Sequence, residues 1–385
     1  MQRVLLLGAG KIGRMIASFL AGSGDYDLLV GDADELALAR VRDQCGVATA
    51  RIDATDHSAL TGAMRDRAVV ISALSFQFNS GIARAALETG CSYFDLTEDI
   101  ATTRQVREVA QQARDGQIFM PQCGLAPGFV SIAASALTRE FDRLDAVFMR
   151  VGALPQFPSN ALKYNLTWST DGLINEYCNL CEAIHDRRRC NVLPLEGLEH
   201  FSLDGVRYEA FNTSGGLGTL CETLEGQVRE LNYKTIRYVG HRELMAFLVN
   251  ELRLSQRRDV LKDILENAIP VTFQDVVVVF CTAAGWQGDQ LVQISDARKI
   301  YETTVDGQHW SAIQLTTAAG ICAAVDLFDQ GKLPRQGFVR QEQVELDTFL
   351  ENRFGAYYQS RHSTRYSRGI NLQGDGPDVE TAKRT

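Results

Sequence analysis

Three glycines carry the first chemistry in the chain. Gly8, Gly10 and Gly13 stand in a G-x-G-x-x-G spacing, with Ala9, Lys11 and Ile12 between them, directly after the apolar run Val4-Leu5-Leu6-Leu7. A buried strand that ends in such glycines and runs straight into a helix is the sequence form of a dinucleotide site. The first glycine permits the tight turn, the second lets backbone amides approach a pyrophosphate, and the third brings helix and strand together. The phosphates then lie at the positive end of the helix.

Further chemistry-bearing residues fall where the following strands end. Tyr26 to Val30 delivers Gly31-Asp32-Ala33-Asp34, and Asp32 is placed to accept the ribose hydroxyls of NAD while repelling the 2′-phosphate of NADP. Its alternative is a helix cap for Glu35 to Gln44. Val47 to Ile52 ends at Asp53, within reach of an adenine amino group, with Thr55 or Asp56 capping the next helix. Ala68 to Leu74, which contains Ser72, ends in a polar loop, Ser75 to Asn79, where the nicotinamide half should pass. Ser72, Leu74 and Ser75 therefore join the expected cofactor contacts. Asp95 and the pair Cys123-Gly124 close two later strands at the same edge, which is the ligand edge of an open α/β sheet.

The elements that position these residues alternate. Helices Lys11 to Ala21, Glu35 to Gln44, Ser80 to Thr89 and Ile100 to Asp115 separate the strands, so residues 1–124 are expected to form a Rossmann doubly wound parallel sheet. After Gly124-Leu125-Ala126-Pro127-Gly128 the pattern changes. Strands are expected at Ala146 to Ala153, Leu162 to Ser169, Arg207 to Phe211, Tyr233 to Tyr238, Asp275 to Thr282, Leu291 to Ile294 and Lys299 to Val305. Helices at Gly172 to Arg187, His241 to Leu254 and Arg257 to Asn267 interrupt them. Residues 125–315 thus read as a second α+β domain on a mostly antiparallel sheet, a common dimer interface. The apolar helix Thr316 to Gln330 is expected to dock back on the first domain, and the polar tail Gln359 to Thr385 to be disordered.

Composition bounds the partners. The chain has 385 residues, 45% hydrophobic and 23% charged, as in ordinary globular proteins, and two domains are the natural expectation. A net charge of −9 argues against nucleic acid or an anionic membrane as partner. The first strand follows Met1-Gln2-Arg3 at once, so no secretory leader is expected. Nine cysteines are scattered, and the one C-x-x-C, Cys178 to Cys181, falls in a helical pattern without a second pair, so no metal is expected and a reducing cytoplasm fits.

In combination and in this order, further motifs carry a family resemblance. They are Val151-Gly152-Ala153-Leu154-Pro155, Leu162-Lys163-Tyr164 with Trp168-Ser169, Gly172-Leu173-Ile174-Asn175-Glu176-Tyr177, Tyr208 to Gly215, Lys234 to Tyr238 with Gly240-His241, and Thr316-Thr317. From residue 4 to about 350 the chain resembles the saccharopine dehydrogenase family. Where the family often has a proline, this chain has Val239, which changes the rigidity of a turn rather than its chemistry. The resemblance implies an NAD(P)-dependent dehydrogenase that oxidises a C–N bond of a lysine-derived amino acid. Glutamate-forming saccharopine dehydrogenase leads, lysine 6-dehydrogenase is the alternative, and a non-catalytic NAD-binding sensor is a third reading. NAD is expected over NADP, with a small-molecule amino-acid substrate and a homodimer.

Amine oxidation needs a base for the ammonium proton and fixed partners for the substrate's carboxylates. Within the family-like motifs, Arg237 is the first choice for a carboxylate, because its planar fork binds both oxygens, or else a strand arginine paired with an acid. Lys163 could act as a desolvated base or be a solvated edge lysine, and His241 could shuttle a proton or open a helix. Asp95 could take the ammonium proton or bond to backbone. Tyr164, Cys123 and Gly124 are placed at the substrate, as are Thr213 and Ser214, whose loop amides could bind a carboxylate. Trp168 reads as packing.

Overall fold

The computed structural model describes residues 1–359 and the backbone of 364–369. The first half alternates as the pattern requires: β1 (Gln2–Leu7), α1 (Lys11–Ser23), β2 (Tyr26–Asp32), α2 (Glu35–Cys45), β3 (Ala48–Arg51), α3 (His57–Met64), β4 (Val69–Ser72), α4 (Phe76–Thr89), β5 (Ser92–Asp95), α5 (Ile100–Ala110) and β6 (Ile118–Met120). Aspartates start three of the helices, Asp99 capping α5 through the Thr102 amide. Asp34 accepts from the amides of Leu36 and Ala37, and Asp56 from those of Ser58 and Ala59, satisfying donors that a helix N-terminus leaves open. These six strands pair in parallel in the order β6-β5-β4-β1-β2-β3. The chain reverses direction across the sheet between β1 and β4, which opens a crevice beyond their carboxyl ends. Strand β1 is apolar on both faces because both are covered. Val4 and Leu6 enter one core and Leu5 and Leu7 the other, beneath α3, α4 and α5.

The second half begins with α6 (Phe129–Thr138) and β7 (Arg143–Pro155), then α7 (Thr170–Cys178), β8 (Cys181–His185), β9 (Arg188–Val192), β10 (Glu199–Leu203), β11 (Val206–Asn212), α8 (Leu220–Leu224) and β12 (Glu230–Tyr238). It continues through α9 (His241–Ala246), a π-turn at Phe247–Glu251, α10 (Arg258–Ala268), β13 (Asp275–Gln287), β14 (Gln290–Tyr301) and the small hairpin β15 (Thr303–Val305) and β16 (Gln308–Trp310). The main sheet runs β10-β11-β12-β7-β13-β14 and is antiparallel except where β12 lies parallel to β7. The fold is therefore α/β with a Rossmann half and an α+β half, as expected.

Local differences have physical causes. Leu162 to Ser169 is not a strand: Lys163 turns at φ 51°, and the segment meets other backbone through a single bridge, Leu166 to Val271. Helix Gly172 to Arg187 stops at Cys178, and Cys181 opens β8 instead. The expected polar loop Ser75 to Asn79 is the first turn of α4, with Ser75 at its start. Strands Leu291–Ile294 and Lys299–Val305 are largely one long strand, β14.

Helix α11 (Ala312–Asp329) joins the halves. It packs against α1 and β13, inside the core that the two sheets share. Its start is fixed twice, by a capping box between Ser311 and Gln314 and by Asp275, whose carboxylate accepts from the amides of Ala312 (2.5 Å) and Ile313 (3.1 Å). At its far end Asp326 accepts from the Tyr26 hydroxyl at 2.7 Å. Among the described residues this is the helix long and apolar enough to cross a membrane, and 83% of it is buried inside the protein. Strand β17 (Gly337–Phe338) then adds to β6 in the first sheet, and α12 (Leu346–Glu351) follows. Of the tail expected to be disordered, β18 (Thr364–Gly369) pairs with β14, while 360–363 and 370–385 lie outside the described residues.

Candidate active site

A cleft of about 340 Å³ runs from the first turn of α1, at Ile12, to the inner face of the second sheet, at Tyr233, Thr235 and Arg237. Between them it is lined by Leu74 and Ser75 after β4, by Leu96 to Glu98 after β5, by Gly124 to Pro127, by Trp168, Ser169, Asp171 and Gly172 with Glu176, and by Thr317 of α11. The carboxyl edge of the first sheet thus faces the second sheet across one continuous space.

The nucleotide end is made of backbone. A Cβ on Gly13 would lie 1.9 Å from the Gly8 carbonyl oxygen, so this turn closes only over glycine. At Gly10 a Cβ would meet nothing within 4 Å. That open space lies at the N-terminus of α1, which has no side-chain cap and no acidic residue in its first turn. A pyrophosphate fits such a cradle in shape and in sign. Asp32 sits beside it: one carboxylate oxygen accepts from the Ala9 amide at 2.7 Å and the other from the Asp34 amide at 2.9 Å. Ala9 therefore gives its N–H to Asp32. Asp53 is exposed and accepts from the amide and hydroxyl of Thr55. Ser72 is buried, with its hydroxyl on Asn79 (2.7 Å), so Leu74 and Ser75 reach the cleft and Ser72 does not.

Asp95 corrects the expectation of a base. It is fully buried, and its two oxygens accept from the Tyr93 hydroxyl (2.6 Å), the Asn79 amide group (3.2 Å) and the backbone amides of Thr97 and Gln122 (both 2.9 Å). Burial pushes its carboxyl up to about 6. Four protein donors leave no face for a substrate amine, and what they do is tie the β5 loop, which carries Glu98, to the loop entering Cys123 and Gly124. Cys123 lies behind that loop, 1% exposed, with its sulfur against the Met120 carbonyl and the Gln341 amide group. Its thiol is pushed far up by burial and does not line the cleft, whereas Gly124 does.

At the substrate end Arg237 is 3% exposed and lines the cleft. Nε donates to the Tyr177 hydroxyl (2.9 Å), and Nη1 to Thr235 Oγ1 (2.6 Å) and the Ile236 carbonyl (2.8 Å). The fork expected to grip both oxygens of a carboxylate is thus filled on one side, and the guanidinium offers Nη2 end-on. Opposite stands Glu176, with Oε2 3.7 Å from Nη2, buried and without a hydrogen-bond partner. Burial raises the Glu176 carboxyl to about 7, against the pull of Arg237. Glu98, across the cleft on the first domain, is raised to about 6, again by burial. Two carboxyls that exchange protons near neutral pH therefore share the cleft with one arginine. Asp171 at the mouth is exposed and paired with Lys262 at 2.7 Å.

The other expected substrate residues lie elsewhere. Lys163 is exposed, and its ammonium donates to the Val239 carbonyl at 2.9 Å, outside the cleft. His241 is 1% exposed behind Arg237, and burial, reinforced by the arginine's charge, pushes it down to about 3, so it carries no shuttle proton near neutral pH. Tyr164 is buried beneath the guanidinium, its ring 5.0 Å away, with its hydroxyl taking the Trp168 indole N–H. The Thr213-Ser214 loop does not aim its amides at a ligand: the Ser214 amide donates to the Glu176 carbonyl and its hydroxyl to that of Asn175, holding α7 in place. Thr213 lines a separate pocket of about 10 Å³, the size of one water. Trp168, read as packing, lines the cleft. Glu98, Glu176 and Tyr233 were not singled out from sequence, although Glu176 stands within the motif Gly172 to Tyr177.

Comparison with known proteins agrees over nearly the whole chain. Residues 4–120 match the family model of the saccharopine dehydrogenase NADP binding domain, and residues 124–353 that of the saccharopine dehydrogenase C-terminal domain. A saccharopine dehydrogenase [NADP(+), L-glutamate-forming] of Saccharomyces cerevisiae is 28% identical over 321 residues, 79% of this chain and 69% of the relative. The solved apo structure of histidine-tagged saccharopine dehydrogenase (L-Glu forming) from that yeast superposes with a TM-score of 0.77 at 16% identity, covering 96% of this chain and 100% of the other. The structural match establishes the shared two-part fold.

Proposed function

The chain belongs to the saccharopine dehydrogenase family, oxidoreductases that act on CH–NH donors with a nicotinamide cofactor, and we propose that it oxidises the C–N bond of a lysine-derived amino acid. Saccharopine is the leading substrate, cleaved to glutamate and an aldehyde. The observation that carries this reading is the buried Arg237–Glu176 pair, placed across one cleft from the glycine cradle.

Gly8 to Gly13 would hold the pyrophosphate and Asp32 the ribose. When bound, the nicotinamide accepts hydride from the carbon that bears the substrate amine. Arg237 Nη2 takes a substrate carboxylate. Glu176, whose carboxyl titrates near neutrality, accepts the ammonium proton, so that the nitrogen lone pair is free to form C=N as the hydride leaves. Glu98, on the opposite wall, holds the amine and then orients the water that adds to the imine carbon. Collapse of that adduct breaks the C–N bond and returns the proton to nitrogen. Trp168, Leu96 and Leu125 keep bulk water from the site.

For the cofactor, the matching domain family and the yeast relative both carry NADP in their names, while this chain has Asp32 at the end of β2 and Asp34 and Glu35 at the start of α2. Three carboxylates there repel a 2′-phosphate, and we assign NAD. Arg51, in register with Asp32 on β3, is the countercharge NADP would use.

Lysine is the second reading, favoured by charge. Glu98 and Glu176 face a single arginine, which suits one carboxylate and two amines better than the three carboxylates of saccharopine. Nicotinamide absorbance followed with saccharopine and with lysine, each with NAD and NADP, decides. Turnover of lysine alone promotes the second reading, and cofactor binding without reduction by either amine leaves a sensor. The proposal includes a homodimer in a reducing compartment, supported by exposed Phe157, Phe247 and Phe273 in the second half and by nine free cysteines; sedimentation as a monomer would remove the first of these.

A further inference from the structure

His241 is a buried titratable side chain that the reaction above does not use, and it does not line the cleft. Its bonds form a directed chain. Nδ1 lies 2.8 Å from the Leu162 carbonyl, and Nε2 lies 2.9 Å from the Tyr177 hydroxyl. A carbonyl only accepts, so Nδ1 carries the proton. At the other end Arg237 Nε only donates, so the Tyr177 oxygen accepts from it; the imidazole, held neutral by burial and by the arginine's charge, has its one proton on Nδ1, so Nε2 is bare and takes the tyrosine hydrogen. A neutral imidazole between these two ends has one arrangement, protonated at Nδ1, with each donor of the chain used once. Arg237, Tyr177 and His241 are at most 3% exposed, so water does not substitute for any link.

This chain decides where the guanidinium points. Nε is held by Tyr177 and Nη1 by Thr235 and Ile236, while the Tyr164 ring lies under the carbon at 5.0 Å. Nη2 is the nitrogen left to face Glu176 and the cleft. An arginine fixed before substrate arrives loses little side-chain freedom on binding. Without the chain, Nε regains the freedom to swing the planar group towards Glu176.

We propose that Tyr177 and His241 are positioning residues for substrate recognition, acting through Arg237 to hold Nη2 where the amino-acid carboxylate binds. The inference rests on Arg237 being the carboxylate anchor.

The test is steady-state kinetics of Tyr177→Phe, which removes one oxygen, and of His241→Gln and His241→Leu. Gln keeps an acceptor for the tyrosine hydroxyl and Leu does not. The KM for the amino acid should rise about tenfold in Tyr177→Phe and His241→Leu, with kcat within about twofold and the cofactor KM unchanged; His241→Gln should recover most of the loss. In an Arg237→Met background, Tyr177→Phe should add nothing. Equal losses in both backgrounds, or a fall in kcat without a change in KM, would overturn the positioning role in favour of plain packing. Failure of the wild type to turn over either amino acid would sink the parent reading and this role with it; wild-type turnover with an unchanged KM in Tyr177→Phe sinks this role alone. Should Tyr177→Phe not fold, nitrogen NMR of the wild type keeps the arrangement testable. His241 should show a protonated Nδ1 and a bare Nε2, and the reverse tautomer would break the chain.

Discussion

The two ends of the cleft are built by different means. At the nucleotide end, consecutive residues of one loop present backbone, and side chains matter by being absent, as at Gly13 and Gly10. At the substrate end, Glu98, Glu176 and Arg237 come from a loop of the first domain, a helix and a strand of the second, and only tertiary packing makes them neighbours. The first kind of site tolerates many side-chain changes and few backbone ones. The second is the reverse, because what it presents is two raised carboxyls and one fixed cation.

That contrast can be broken experimentally, most forcefully at Glu176. Glu176→Gln should lower kcat by about 10²–10⁴, the usual worth of a positioned base. Wild-type kcat should rise with pH through about 7 as this carboxyl ionises, and the variant should lose that limb. An unchanged pH profile would move the base to another group. Arg237→Met should cost roughly 10–100-fold in kcat/KM for the amino acid and leave cofactor binding alone, as fits loss of one charge-assisted bond. If NAD binding weakened equally, the two ends would not be separable.

At the nucleotide end, Asp32→Ala should shift the NAD to NADP ratio of kcat/KM towards NADP by about tenfold, since one repulsive charge is removed. A constant ratio would release Asp32 from the ribose and leave it as a brace for the Ala9 amide. Stability should respond in the opposite sense to catalysis. Burial lifts Glu176 from 4.5 to about 7, so the folded state holds its proton longer than the unfolded chain does, and stability falls as pH rises between those values. Glu176→Gln removes that loss and should be about 1–3 kcal/mol more stable than wild type at pH values above 7, with no gain below 4.5, measured by urea unfolding. Smallest of all, Lys163→Ala should change kcat/KM by less than about twofold, because its ammonium bonds to an exposed carbonyl outside the cleft.

The same contrast separates what is legible in the sequence from what is not. The glycine loop, Asp32 at the end of β2 and the parallel alternation are local patterns, and each stands where its spacing places it. Residues 162–169 have strand-like composition, yet Lys163 adopts a left-handed turn and no neighbouring strand pairs with the segment, so pairing that sequence cannot display overruled propensity. Asn79 reads as loop because it is polar, but it is the buried inner side of a helix turn, bonded to Asp95. Glu176 gives no local signal of its own: burial raises its carboxyl, and the charges of Arg237 and Glu98 that act on it come from distant parts of the chain. Arg237 is legible as a cation in a motif, while its hold on Tyr177, 60 residues away, is not.

Helix α11 has a consequence for how the molecule is made. Phe19 of α1 packs against Phe354 and Tyr357, and the rest of that apolar face lies against α11, so the first sheet's core is closed by residues translated late. At roughly 5–20 residues per second, a ribosome needs on the order of 10–40 seconds after residue 124 to deliver that helix. During that interval Phe19 and the face of α1 that meets α11 lack their cover. A chain cut at residue 124 would keep them bare for good, and the glycine loop would stand on a half-finished domain.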